Sequence, residues 1–85
     1  MSSPLEKPPA SLGEAIRSLR MDVGLSQQEV ADRSGIHLTH ISNLERGKAS
    51  PNYDTLRRLA KGLELPSPTH ILVQGELIER RKNHG

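Results

Sequence analysis

The sequence predicts an all-α fold, a compact bundle of five short helices. Three observations carry that expectation. Ser11 with Glu14 and Ser26 with Glu29 both have the Ser-x-x-Glu spacing of a capping box, in which two side chains satisfy orphan amides of a first helical turn. Apolar residues then recur at spacings of three and four, one face of a helix, and each series closes near a glycine: Gly24, Gly35 or Gly47. The chain has no Phe, no Trp and one Tyr. A core must therefore be built from Leu, Ile, Val, Ala and Met, which suits packed helices better than an aromatic-rich sheet.

Residues 1–10 contain three prolines and few apolar side chains. Such a stretch cannot offset its ordering entropy by burial, so a disordered arm is expected. A minor-groove role for this arm has only Lys7 as a cation to support it. The first helix is expected from Ser11, with Leu12, Ile16, Leu19 and Val23 on one stripe beside Ala15. Gly24 ends it, and Leu25 packs back. The second follows Ser26. Val30 and Ala31 face inward, with Ser34 at the margin, and the small Ala31 suits a close helix crossing. Gly35 supplies the positive φ of a tight turn that Ile36 anchors. The third helix runs from about Leu38 to Arg46. Ile41 and Leu44 are its inner residues, while His37, Leu38, Thr39, His40, Asn43 and Arg46 form a polar outer face. Leu38 is also placed where it could join the core.

A loop over 48–53 carries Pro51 and Asn52 as turn signals. The fourth helix starts near Asn52 or Tyr53. Leu56, Leu59, Ala60 and Leu63 line its inner side; Arg57, Arg58 and Lys61 read as its solvated side. Ser67 and Pro68 fit the start of a last helix. Ile71, Leu72, Gly75 and Ile78 share one face there, and Leu77 widens it. A strand over His70–Gln74 competes, since a short Ile-Leu-Val run suits both; the helix is favoured. Arg80, Arg81 and Lys82 make a polar end, either solvated or an auxiliary phosphate contact.

Composition limits the function classes. The charges nearly balance, with 12 Lys and Arg against 10 Asp and Glu, so a polyanionic partner must be argued from where the cations lie. The missing aromatics count against readers of single-stranded nucleic acid, which stack bases on such rings. The absence of cysteine excludes disulfides and thiolate metal sites. His37 and His40 lie i,i+3, but no third ligand is evident, so no metal and no cofactor are expected. No nucleophile turn or Gly-rich phosphate loop is present, so an enzyme is not expected. No apolar run nears the roughly 20 residues of a membrane span, and the N-terminus lacks a secretory core. A cytoplasmic protein of one small domain, without a membrane partner, is the expectation. The expected division is an arm over 1–10, a domain over 11–66 and a C-terminal segment over 67–85.

Two short helices joined by a Gly-containing turn, Ser26 to Gly47, make a helix-turn-helix, whose second helix can enter a DNA major groove. Here the chain resembles the phage repressor and Cro class, also called the Xre family. The matching residues are Leu19 and Arg20; Gly24, Leu25, Ser26 and Gln27; Val30 and Ala31; Gly35 and Ile36; Ile41 and Ser42; and Leu44, Glu45, Arg46 and Gly47. Pro51 and the ladder of Leu56, Leu59, Ala60 and Leu63 continue the match, which spans about residues 11–65.

The resemblance implies a lambda repressor-like, five-helix domain whose third helix reads DNA as a dimer. It places Leu38, Thr39 and Asn43 at base edges, with His37 and His40 flanking. It places Gln27, Ser42, Arg46 and Lys48 at phosphates, and pairs Arg20 with Glu45 in a buried bridge. Two departures stand out. Leu38 occupies a position where the family often has Arg or Gln; it cannot bond guanine but can touch a thymine methyl. His37 replaces the usual Ser or Asp cap.

The expected function is a sequence-specific regulator of transcription, a repressor binding a palindromic operator in double-stranded DNA as a homodimer. Leu65, Ile71, Leu72 and Ile78 are the candidate dimer residues, with Leu63 beside Leu65. The resemblance implies a bacterial or phage-encoded, nucleoid-associated protein. The alternative is an interaction module, such as an antitoxin or adaptor, that binds a protein partner; it would need a larger apolar patch on the third helix than Leu38 alone.

Overall fold

Five α-helices make up residues 10–84, the stretch described by the computed structural model: α1 Ala10–Asp22, α2 Gln27–Ser34, α3 Leu38–Glu45, α4 Tyr53–Gly62 and α5 Thr69–His84. No strand occurs among the described residues. The expected N-terminal arm lies outside them, apart from Ala10, which heads α1.

Local chemistry sets most helix ends. Ser26 is extended, its Oγ accepts the Glu29 amide at 3.0 Å, and Glu29 Oε1 accepts the Ser26 amide at 3.0 Å. These bonds hold the Glu29 carboxyl below its ordinary pKa, the Ser26 backbone amide contributing most and the hydroxyl next. Asn52 Oδ1 caps α4 through the Thr55 amide at 2.8 Å. Three helices close by one device, in which two amides turn back onto the last carbonyls. At α1, Gly24 donates to Met21 and Leu25 to Arg20; at α3, Gly47 donates to Leu44 and Lys48 to Asn43; at α4, Glu64 donates to Lys61 and Leu65 to Ala60. Each needs one left-handed residue, and Gly24, Gly47 and Glu64 have φ of 71°, 73° and 62°.

The core draws on every helix. Ile16, Val30, Ile41, Leu44, Leu59, Leu63 and Ile71 are the largest fully buried side chains. α5 packs along α1, α4 packs against α2, and α1 and α2 both pack on α3.

α5 accounts for the main departures from sequence expectation. It is a helix through His70–Gln74, not a strand. Its contact with α1 takes Ile71 into the core at 0% exposure and buries Gly75 against Leu12. Ile71 is therefore spent within the core of its own chain and is not offered at the surface. Leu63 is likewise fully buried, while Leu65 and Ile78 are partly buried. The apolar side chains that α5 leaves outside are Leu72, Val73 and Leu77. The same contact displaces the expected start of α1. The helix begins at Ala10, Ser11 is buried inside it near Gly75, and Glu14 pairs with Lys82 of α5 instead of capping. Val23 falls beyond the end of α1 and is exposed.

α1 makes its closest approach at Gly13. A Cβ there would stand 2.4 Å from the Leu44 carbonyl oxygen and 2.8 Å from that of Glu45. The C-terminal end of α3 thus rests directly on the backbone of α1. Gly75, also helical and buried, is different: a Cβ would meet nothing nearer than Leu12 Cδ1 at 3.6 Å, ordinary contact. Gly13→Ala is expected to destabilise the fold by about 1–3 kcal/mol through overpacking. Gly75→Ala is expected to be neutral, or stabilising by up to about 1 kcal/mol, from helix propensity. Thermal unfolding of both variants checks the contrast.

Candidate nucleic-acid interface

α3 has only 8 residues, too few for a helix to persist alone in water. Ile41 and Leu44 hold it inward at 0% and 1% exposure. His37 precedes it with extended backbone and makes no side-chain cap bond. The outer side then presents Leu38 and Thr39, both exposed, and His40, Ser42 and Asn43, partly exposed. Arg46 and Lys48 follow at the C-terminal end, both exposed. The predicted base-facing and phosphate-facing residues of this segment thus lie on one continuous surface of α3 and the turn after it. Asn43 Oδ1 accepts a bond from the Arg46 guanidinium at 3.0 Å.

Ion pairing divides the cations of the described residues into two groups. Arg33 pairs with Glu64, Arg57 and Arg58 share Asp54, and Lys82 pairs with Glu14. Arg46 and Lys48, like Arg17, Lys61, Arg80 and Arg81, have no carboxylate partner among the described residues. Their charge is therefore available to an anion. No three His, Cys, Asp or Glu of the described residues gather as a metal site.

Arg20 and Glu45 form a bidentate pair that ties α1 to the end of α3. Arg20 Nε donates to Glu45 Oε2 at 2.7 Å and an outer guanidinium nitrogen donates to Oε1 at 3.0 Å. The remaining nitrogen donates to the Leu25 carbonyl at 2.8 Å. The two side chains are 13% and 3% exposed. The bond to Glu45 raises the Arg20 pKa against the opposing effect of burial. Gln27, at the first position of α2, is partly buried, and its Nε2 donates to Glu45 Oε1 at 3.1 Å.

Two residues that sequence reasoning passed over also border the site. Gln28 and Asp32 of α2 line an open groove with His37, Leu38 and Thr39, and Gln28 Nε2 donates to Asp32 Oδ1 at 2.9 Å. Their i,i+4 spacing, offset from the buried Val30, Ala31 and Ser34, was the available signal. The expected apolar outlier, Leu38, is 38% exposed, and its neighbours on the outer face are polar. None of the described helices is long and apolar enough to cross a membrane.

Comparison with known proteins supports the helix-turn-helix fold. A helix-turn-helix family model matches residues 16–68. The transcriptional regulator ClgR of Mycobacterium tuberculosis is 30% identical over 71 residues, covering 84% of this chain and 63% of that protein. The chain thus spans less than two thirds of that regulator's length. The control protein C.SmaI of Serratia marcescens is 39% identical over 64 residues, covering 75% of this chain and 76% of its own. The crystal structure of the restriction-modification controller protein C.AhdI from Aeromonas hydrophila superposes with a TM-score of 0.70 at 29% identity, covering 73% of this chain and 92% of that one.

The buried bridge has a distinctive mutational signature. Arg20→Met or Glu45→Met alone is expected to cost about 3–5 kcal/mol, because each leaves a buried charge without its partner. The double replacement is expected to recover most of that loss, since an apolar pair of similar volume is often neutral. Urea unfolding of the three variants measures the coupling.

Proposed function

This chain belongs to the helix-turn-helix family, in its repressor and Cro type, and on that premise we propose that it is a sequence-specific, double-stranded DNA-binding regulator of transcription. The observation that carries the reading is α3: a short helix packed inward through Ile41 and Leu44, with a polar outer face and, at its exit, two cations without a carboxylate partner among the described residues. Such a helix fits the major groove, where base edges present donors, acceptors and the thymine methyl.

Roles follow from placement and chemistry. Thr39 and Asn43 read base edges, with Leu38 against a thymine methyl and His37 and His40 flanking. Gln27, Ser42, Arg46 and Lys48 set the register on phosphates, which position the protein without specifying sequence. Asn43 exchanges its bond with Arg46 for one to a base, freeing the guanidinium for the backbone. The polar character of the α3 face favours DNA over a protein as its partner. The chain acts as a repressor by covering a promoter.

Two copies bind half-sites about 34–36 Å apart on a palindromic operator. The dimer face is the α5 ridge of Leu72, Val73 and Leu77, which are 46%, 48% and 41% exposed. This differs from the expected set, because Ile71 serves the core of its own chain. Cutting the chain at Pro66 would remove a core residue, whereas Val73→Glu and Leu77→Glu alter only the ridge. Sedimentation of the doubly substituted chain is expected to give the monomer mass where the parent gives the dimer. Equal masses would remove α5 from the interface.

Duplexes selected from a random pool test the DNA reading. Affinity is expected to fall steeply with salt as counterions return to the phosphates. Asn43→Ala is expected to relax preference at one base pair per half-site, by about 1–3 kcal/mol of discrimination. Lys48→Ala is expected to weaken all sequences alike and to lower the salt slope by about one. A flat salt response, or both variants binding like the parent, would count against the assigned face.

A further inference from the structure

We propose that Glu45 is a positioning residue for DNA binding: its buried carboxylate fixes the Gln27 amide so that an N–H donor is presented to a phosphate. The proposal rests on the reading above that Gln27 meets the DNA backbone. It explains why a carboxylate lies beside a residue assigned to an anion.

Glu45 is the last residue of α3 and Gln27 the first of α2. Glu45 Oε1 accepts both an Arg20 N–H at 3.0 Å and Gln27 Nε2 at 3.1 Å, while Oε2 accepts Arg20 Nε at 2.7 Å. A carboxylate only accepts hydrogen bonds. A reversed Gln27 amide would set its carbonyl oxygen against Oε1 in a site where the Glu45 side chain is 3% exposed, and two oxygen dipoles repel strongly there. The amide is therefore held with its nitrogen toward Glu45. Its second Nε2 hydrogen has no protein acceptor among the described residues.

The charge arithmetic permits an anion at this point. Arg20 neutralises Glu45, so the pair is a dipolar anchor and not a net negative charge. Gln27 also lies in the first turn of α2, at the positive end of its dipole. A donor already oriented loses less freedom on binding than one that must be ordered by the phosphate. Glu45 thus acts on DNA only through Gln27.

The test compares Gln27→Ala in two backgrounds, the parent chain and Arg20→Met/Glu45→Met. The second keeps the buried volume and removes the acceptor. The probe is a fluorescent duplex of arbitrary sequence at low salt, which reports phosphate contacts without base readout. Gln27→Ala is expected to cost about tenfold in affinity in the parent, the loss of one charge-assisted hydrogen bond. In the apolar background the same change is expected to cost less than about twofold, because the amide is no longer oriented. Equal losses in both backgrounds overturn the positioning role while leaving the DNA reading intact. No loss in a parent that binds overturns the Gln27 contact and the proposal with it. A parent that fails to bind duplex at all overturns the DNA reading itself.

A measurement on the unmodified chain covers the case in which the double variant does not fold. The Gln27 side-chain amide is expected to show one proton shifted downfield and exchanging with solvent more slowly than the amide of Gln74. Matching shifts and exchange for the two glutamines would overturn the proposal. A purely structural role for Glu45, confined to Arg20, predicts that match.

Discussion

A helix of 8 residues cannot hold itself together in water, and α3 is such a helix. Its existence, position and orientation are therefore imposed by its neighbours. Ile41 and Leu44 supply the burial that stabilises it. Gly13 lets the α1 backbone touch the Leu44 and Glu45 carbonyls, where any Cβ would collide. Arg20 grips Glu45 with two hydrogen bonds from the same helix. The contact between α1 and the end of α3 is thus both steric and electrostatic, and it fixes where the outer face of α3 points.

The remaining architecture supports that contact. α5 lies along α1 and inserts Ile71 into the core, so α1 is held from the side opposite its role in the site. α2 is capped at Ser26 and turns into α3 through Gly35 at φ 73°. Ser34 Oγ takes the Ile36 amide at 3.2 Å and keeps that turn satisfied in a buried setting. The functional face needs few residues of its own because the scaffold leaves α3 little freedom. Precision of this kind is what a base-reading helix requires, since a misplaced donor loses the geometry that discriminates one base pair from another.

Much of this was legible in the sequence, for local reasons. The box at Ser26 and Glu29, the turn at Gly35 and the inner pair Ile41 and Leu44 depend on residues close in the chain. Elsewhere, long-range packing decided. Ser11 and Glu14 have the same spacing as Ser26 and Glu29, yet α5 covers Ser11 and Lys82 takes Glu14. Along Ile71, Leu72 and Val73, composition cannot say which side chain turns inward; the line of contact with α1 selects Ile71. Gly13 gave no signal, because a glycine inside a helix reads as a weakness until its neighbour is known. Of the site, the outer face of α3 followed from periodicity, and the Arg20–Glu45 pairing from family resemblance. The bond from Gln27 to Glu45, and the Gln28–Asp32 edge of the groove, required the packing of α2 on α3.

The proposed DNA surface is the outer side of α3 with the start of α2 and the turn at Lys48. Titration of a selected duplex into isotope-labelled protein, followed at each backbone and side-chain amide by NMR, tests that placement. The expected perturbations fall on Gln27 and on residues 37–48, with the exposed sides of α4 and α5 largely unchanged at constant oligomeric state. Perturbations centred on α4 or α5, with Thr39, Asn43 and Lys48 unmoved, would contradict it.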